Sequence, residues 1–116
     1  MAPAKRVLLV EDEPLIAMMV EDFLDVLGHV VAGTADDVAG ALPLVEAGGI
    51  DAAILDLNLR GGEKSWPVAD ALAERGIGFV LATGGGDDGI PDRHRGVPRL
   101  LKPFTMDGVE KALAQI

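Results

Sequence analysis

The sequence predicts an α/β fold, a doubly wound five-stranded parallel sheet, and three observations carry that prediction. Five short apolar runs alternate with segments of helical periodicity, which is the pattern of strands joined by crossover helices. Glycine, proline or acidic clusters stand at the junctions. The interior must also be aliphatic, because apolar residues make up 49% of the chain and aromatic ones 3%, a composition suited to strands covered on both faces.

The first run, Arg6 to Val10, ends in Glu11-Asp12-Glu13-Pro14, where acids and a proline favour a helix start. Leu15, Met18, Met19, Phe23, Val26 and Leu27 then recur at helical spacing up to a Gly28 stop. Val30 to Gly33 reads as the second strand. Thr34 to Asp37 supply N-cap candidates for a helix bearing Val38, Ala41, Leu42 and Val45, which Gly48-Gly49 closes.

Ala52 to Leu55 is a third, buried strand that delivers Asp56 to its carboxyl end. A loop with Gly61-Gly62 and a helix from about Ser65 to Arg75 follow. Phe79 to Ala82 forms the fourth strand. Thr83 to Gly96 is rich in glycine and charge and holds Pro91, so mobility and at most a short fourth helix are expected there. Pro98 to Leu101 is the last strand, and Thr105, Asp107, Val109 and Leu113 mark a closing helix to Ile116. Neither repeats nor linkers interrupt the pattern.

At 116 residues, the whole of 1–116 reads as one domain with no room for a separate output module. A net charge of −9 repels nucleic-acid backbones and anionic membranes, which excludes nucleic acid as a partner. The absence of cysteine removes disulfides, thiolate metal sites and thiol nucleophiles and fits a reducing compartment. No apolar run approaches the roughly 20 residues a membrane span needs, so membrane insertion is not expected, and the cytoplasm is the expected location.

Ligand sites of open α/β sheets form at the carboxyl ends of the strands. Those ends carry Glu11 and Asp12, then Asp56, Thr83 and Lys102. Carboxylates at one edge repel by about 4 kcal/mol per pair at 4 Å with an effective dielectric near 20. A hard dication answers that repulsion, and magnesium pairs one or two carboxylates with phosphate oxygens. A carboxylate nucleophile, a metal and an ammonium together are equipment for phosphoryl transfer. Thr83 can donate to a phosphoryl oxygen, and Gly84 allows close backbone approach. Taken singly each residue has an ordinary explanation as a helix cap, a β-former or a solvated amine; the ordered set does not.

The set resembles the response-regulator receiver family along the whole chain. Val7-Leu8-Leu9-Val10-Glu11-Asp12-Glu13 resembles its first strand and acidic pair, Ile54-Leu55-Asp56-Leu57-Asn58-Leu59 its phospho-acceptor segment, and Leu101-Lys102-Pro103-Phe104 its Lys-Pro-Phe signature. The resemblance implies a (βα)5 flavodoxin-like sheet of order 2-1-3-4-5. It implies phosphorylation of Asp56 and magnesium, or manganese in its place, held by Asp12, Asp56 and the Asn58 backbone carbonyl, with Glu11 acting through the metal's water shell. Thr83 becomes the switch hydroxyl, Lys102 the partner of the phosphoryl group, and Lys102-Pro103 the place for a cis bond.

The expected partners are a sensor histidine kinase or a histidine phosphotransfer protein and a downstream protein target, met on a face of the fourth helix, fifth strand and fifth helix. Phe79-Val80-Leu81-Ala82-Thr83-Gly84, with Gly89, Ile90 and Pro91, further resembles the FAT GUY receivers, often stand-alone regulators of alphaproteobacterial stress signalling. Leu81 replaces the usual Phe of that signature, and Gly85 and Gly86 stand where an aromatic is common.

Arg99 occupies the place, three residues before the lysine, where receivers often carry an aromatic that rotates inward. Burying an unpaired guanidinium is far costlier than burying a phenol, so Thr83 to Gly96 becomes the expected switching element. Trp66 is expected to be partly exposed, and His29 and His94 read as surface residues. Two rival functions are a haloacid-dehalogenase-type phosphatase, disfavoured by an acceptor after the third strand, and a degenerate receiver serving as a scaffold, disfavoured by the intact Asp12, Asp56, Thr83 and Lys102.

Overall fold

In a computed structural model, which describes residues 4–84 and 89–116, β1 (Arg6–Val10) lies inside a parallel sheet of five strands. β2 (Val30–Ala35), β3 (Ala52–Asp56), β4 (Gly78–Thr83) and β5 (Arg99–Leu101) complete it in the order β2-β1-β3-β4-β5. This is the predicted doubly wound order. The winding reverses between β1 and β3, whose carboxyl ends therefore lie side by side with Val10 opposite Leu55.

Four α-helices accompany the strands among the described residues: α1 (Pro14–Val26), α2 (Val38–Ala47), α3 (Trp66–Glu74) and α4 (Met106–Leu113). Where a fourth crossover helix was expected to be short at most, the described residues hold a 3-10 turn, Asp92–His94. Residues 85–88, including the Gly85 and Gly86 of the expected mobile stretch, lie outside the described residues.

The two-residue period of the strands sorts the core into two layers. Val7, Leu9, Ile54, Val80 and Leu100 pack with Val20 and Leu24 of α1 and with Val109 and Leu113 of α4. Leu8, Val10, Leu55, Phe79 and Leu81 pack with Ala41 and Val45 of α2 and with Val68 and Leu72 of α3. All five residues of β3 are buried, as a central strand covered by helices on both faces requires. Each buried Leu or Ile contributes about 1.5–3 kcal/mol relative to exposure.

Helix ends follow local chemistry. Asp37 caps α2 by accepting from Gly40 N at 2.7 Å, and Thr105 caps α4 by accepting from Gly108 N at 2.9 Å. Pro14 opens α1, where its missing N–H has no intrahelical partner to lose. Gly28 beyond α1 has φ 86°, a left-handed value that suits glycine.

Two expectations need correction. On α1 the apolar stripe does not face the core as its spacing suggested: Leu15, Met18 and Val26 are 80%, 60% and 70% exposed, while Val20 and Leu24 are buried and Met19, Phe23 and Leu27 are partly covered. The helix is apolar around more than one face, so its period alone could not select the inward side. His94 is the second correction, since it is 4% exposed rather than a surface residue. It is buried by Trp66 and Phe79, which are distant in sequence. His29 is half-buried and accepts from Lys5 N at 3.0 Å. Trp66, at the start of α3, is half-buried.

Candidate functional site

The strand ends bring all the predicted side chains to one edge. Glu11 follows β1 directly, and its N–H donates to Ala35 O at 3.0 Å, which extends the β1–β2 pairing by one residue and fixes the side chain over the sheet edge. Asp12 comes next, half-buried, in the link to α1. Asp56 closes β3 and Thr83 closes β4, 5% and 2% exposed. Lys102 follows β5, where its N–H donates to Thr83 O at 2.9 Å and so holds the lysine beside the β4 end. The Lys102-Pro103 bond is cis.

Asp56, Asp12, Asn58, Thr83, Gly84 and Lys102 line a shared open pocket of about 380 Å³. Lys102 Nζ donates to Asp56 Oδ2 at 2.8 Å and stands 3.9 Å from Glu11 Oε1. Asn58 N lies 3.4 Å from the other acceptor oxygen, Asp56 Oδ1. Glu11, Asp12 and Asp56 each place a carboxylate oxygen within 4.8 Å of the others.

Three carboxylates against one ammonium leave two formal negative charges when all are ionised. Burial pushes the Glu11 carboxyl up to about 7, opposed by the N–H of Glu13 and reinforced by the Asp56 charge. For Lys102, burial works to lower the ammonium's pKa, but the Asp56 hydrogen bond and the charges of Asp56, Glu11 and Asp12 outweigh it and leave the value raised.

The donor set fits a hard dication. Glu11 Oε1 is buried without a hydrogen-bond partner, an arrangement that costs about 1–3 kcal/mol or more for a charged group and that a cation or its water shell would relieve. All the available donors are oxygens, which magnesium and manganese accept.

Sequence reasoning did not find Lys64, whose ammonium donates to Asn58 Oδ1. The signal was the glycine pair: Gly61 and Gly62 adopt φ 72° and 80° and reverse the chain, so that Leu59 N donates to Glu63 O at 2.7 Å and Ser65 N to Leu57 O at 3.2 Å. The loop after Asp56 is thereby folded back on itself. Arg99 is exposed on β5, in keeping with its charge.

Comparison with protein-family models and with curated proteins finds no match. Among solved structures, the chain is similar to SdrG from Sphingomonas melonis Fr1, at 68% identity over 98% of this chain and 97% of that one, with a TM-score of 0.86. The BeF3-activated conformation of SdrG, from Pseudomonas melonis Fr1, aligns over the same shares at 68% identity with a TM-score of 0.81. The PhyR response regulator REC domain of Erythrobacter litoralis aligns at 28% identity over 97% of this chain and 88% of that one, with a TM-score of 0.78.

Proposed function

The chain belongs to the response-regulator receiver family of two-component signalling, and from that premise we propose that it accepts a phosphoryl group on Asp56 in a magnesium-dependent reaction. The observation that carries the reading is the pairing of a nearly buried Asp56 carboxylate with Lys102 at 2.8 Å inside a ring of further carboxylates, at the mouth of a pocket.

The donor is a phosphohistidine of a sensor kinase or phosphotransfer protein, or a small acyl phosphate. An Asp56 oxygen attacks phosphorus and the new O–P bond forms as the donor's bond breaks: the N–P bond of phosphohistidine, whose released imidazole takes a proton, or the O–P bond of an acyl phosphate, which leaves as a carboxylate. Lys102 then turns from the carboxylate to an equatorial phosphoryl oxygen, and the Thr83 hydroxyl hydrogen-bonds another. Asp12, Asp56 and the Asn58 carbonyl would hold magnesium, with Glu11 acting through its water shell; when bound, the ion supplies positive charge for the phosphoryl oxygens.

Output is contact with another protein, or onward transfer to a histidine of a phosphotransfer partner. The run Phe79 to Gly84, with Gly89, Ile90 and Pro91, is the reason for placing the chain with the FAT GUY receivers. A cytoplasmic location suits this chemistry, and among the described residues no helix is long and apolar enough to cross a membrane.

Acetyl phosphate with magnesium, followed by intact-mass measurement, tests the reading. Wild type is expected to gain one phosphoryl mass and Asp56→Asn none. An unmodified wild type would identify a scaffold, and equal modification of both would move the acceptor elsewhere.

A further inference from the structure

Outside the acidic pocket, the segment leading to β5 is fastened to α3 by a contact built from polar groups. His94 ends the 3-10 turn and is 4% exposed. Its ring stacks on Trp66, with centroids 6.1 Å apart and planes at 25°. It also meets the Phe79 ring edge-on, with centroids 5.6 Å apart. Its Nε2 lies 2.8 Å from Asp70 Oδ1. Arg93 grips the same carboxylate in a fork, Nε to Oδ1 at 2.8 Å and one terminal nitrogen to Oδ2 at 3.1 Å.

Trp66 and Asp70 are four residues apart on α3, hence on one face of it, and together make a receptor for two consecutive side chains. The Arg93 hydrogen bond, foremost, holds the Asp70 carboxyl below its ordinary pKa, with His94 adding to the effect.

The contact reaches the acceptor pocket through β4. Phe79, Leu81 and Thr83 share one face of that strand by its two-residue period. The strand is itself paired to β3, with Asp56 opposite Ala82. A shift of Thr83 toward a phosphoryl group is therefore made on the face where His94 packs. Arg99 on β5 is exposed and carries no aromatic ring that could report such a shift.

We infer that Trp66 and Asp70 of α3 latch His94 and Arg93, holding this segment in the unphosphorylated arrangement and opposing the phosphorylated one. The inference rests on the phospho-acceptor reading above. A contact made in one of two states biases the equilibrium by its differential energy alone, so loosening the latch must tighten binding of whatever favours the other state.

The probe is beryllofluoride with magnesium, titrated calorimetrically into wild type, Asp70→Ala and Arg93→Ala. The two side chains are 42% and 56% exposed, so neither truncation opens the core, and thermal melts verify folding. Asp70→Ala is expected to bind about fivefold more tightly than wild type, and Arg93→Ala to shift in the same direction. In both variants the Trp66 emission before ligand is expected to move toward that of liganded wild type. Equal or weaker binding by both variants overturns the latch alone. A wild type that binds no beryllofluoride overturns the phospho-acceptor reading and takes the latch with it.

Discussion

Lys102 Nζ lies 2.8 Å from Asp56 Oδ2 and 3.9 Å from Glu11 Oε1, so a single ammonium after β5 serves carboxylates at the ends of β3 and β1. It faces two of the three clustered carboxylates and so competes with any dication they would bind.

Lys102→Ala is therefore expected to do two opposite things. Folding stability without metal falls by about 2 kcal/mol, because a nearly buried carboxylate loses its charged hydrogen bond. Magnesium affinity rises, because the competing cation is gone. Urea melts and a magnesium titration check the pair of effects, and weaker magnesium binding in the variant would contradict this account.

The pH dependence follows from Glu11, whose folded pKa of about 7 lies above the ordinary 4.5. Between those values the folded chain holds a proton that the unfolded chain has released. Stability from this group is thus fully present below pH 4.5 and lost as pH rises through 7, by an amount on the order of 3 kcal/mol. Melts across that window without metal are expected to show the decline, and Glu11→Gln or added magnesium to flatten it. A slope unchanged by Glu11→Gln would refute the assignment.

The orientation of α1 is tested by a matched pair of truncations. Leu24 is fully buried and Leu15 is 80% exposed. Leu24→Ala is expected to cost about 3 kcal/mol and Leu15→Ala less than about 0.5 kcal/mol. Denaturant midpoints of the two variants decide; comparable losses would mean that the helix is rotated.

Ser65 precedes α3 as its N-cap, yet its hydroxyl is buried with no hydrogen-bond partner and makes no capping bond. Ser65→Ala is expected to raise stability by about 1 kcal/mol, since removing an unsatisfied buried oxygen recovers its desolvation cost, and to raise Tm by a few degrees. A lowered Tm would show that the hydroxyl is satisfied in solution.

Much of this arrangement was legible in the residues. The five apolar runs, their turn signals and the polar residues ending each run place Glu11, Asp12, Asp56, Thr83 and Lys102 at one edge by topology alone, because parallel strands joined by crossovers all end on the same side. Lys64 was missed because its contact with Asn58 depends on the turn at Gly61 and Gly62. The inward face of α1 was missed because Leu15, Met18 and Val26 are as apolar as the residues that are buried.

Local sequence thus determined which segments are strands and which chemical groups stand near their ends, since backbone propensity and hydrophobic period act within a few residues; the ends themselves were placed only to within two residues, the second strand running past Gly33 to Ala35. Tertiary structure alone decided the distances that matter: the 2.8 Å from Lys102 to Asp56, the stranded Glu11 oxygen, and the burial of His94 between Trp66 and Phe79. These depend on side chains from remote segments meeting in one place. Their desolvation and mutual charge exist only after the helices have packed, which no periodicity along the chain encodes.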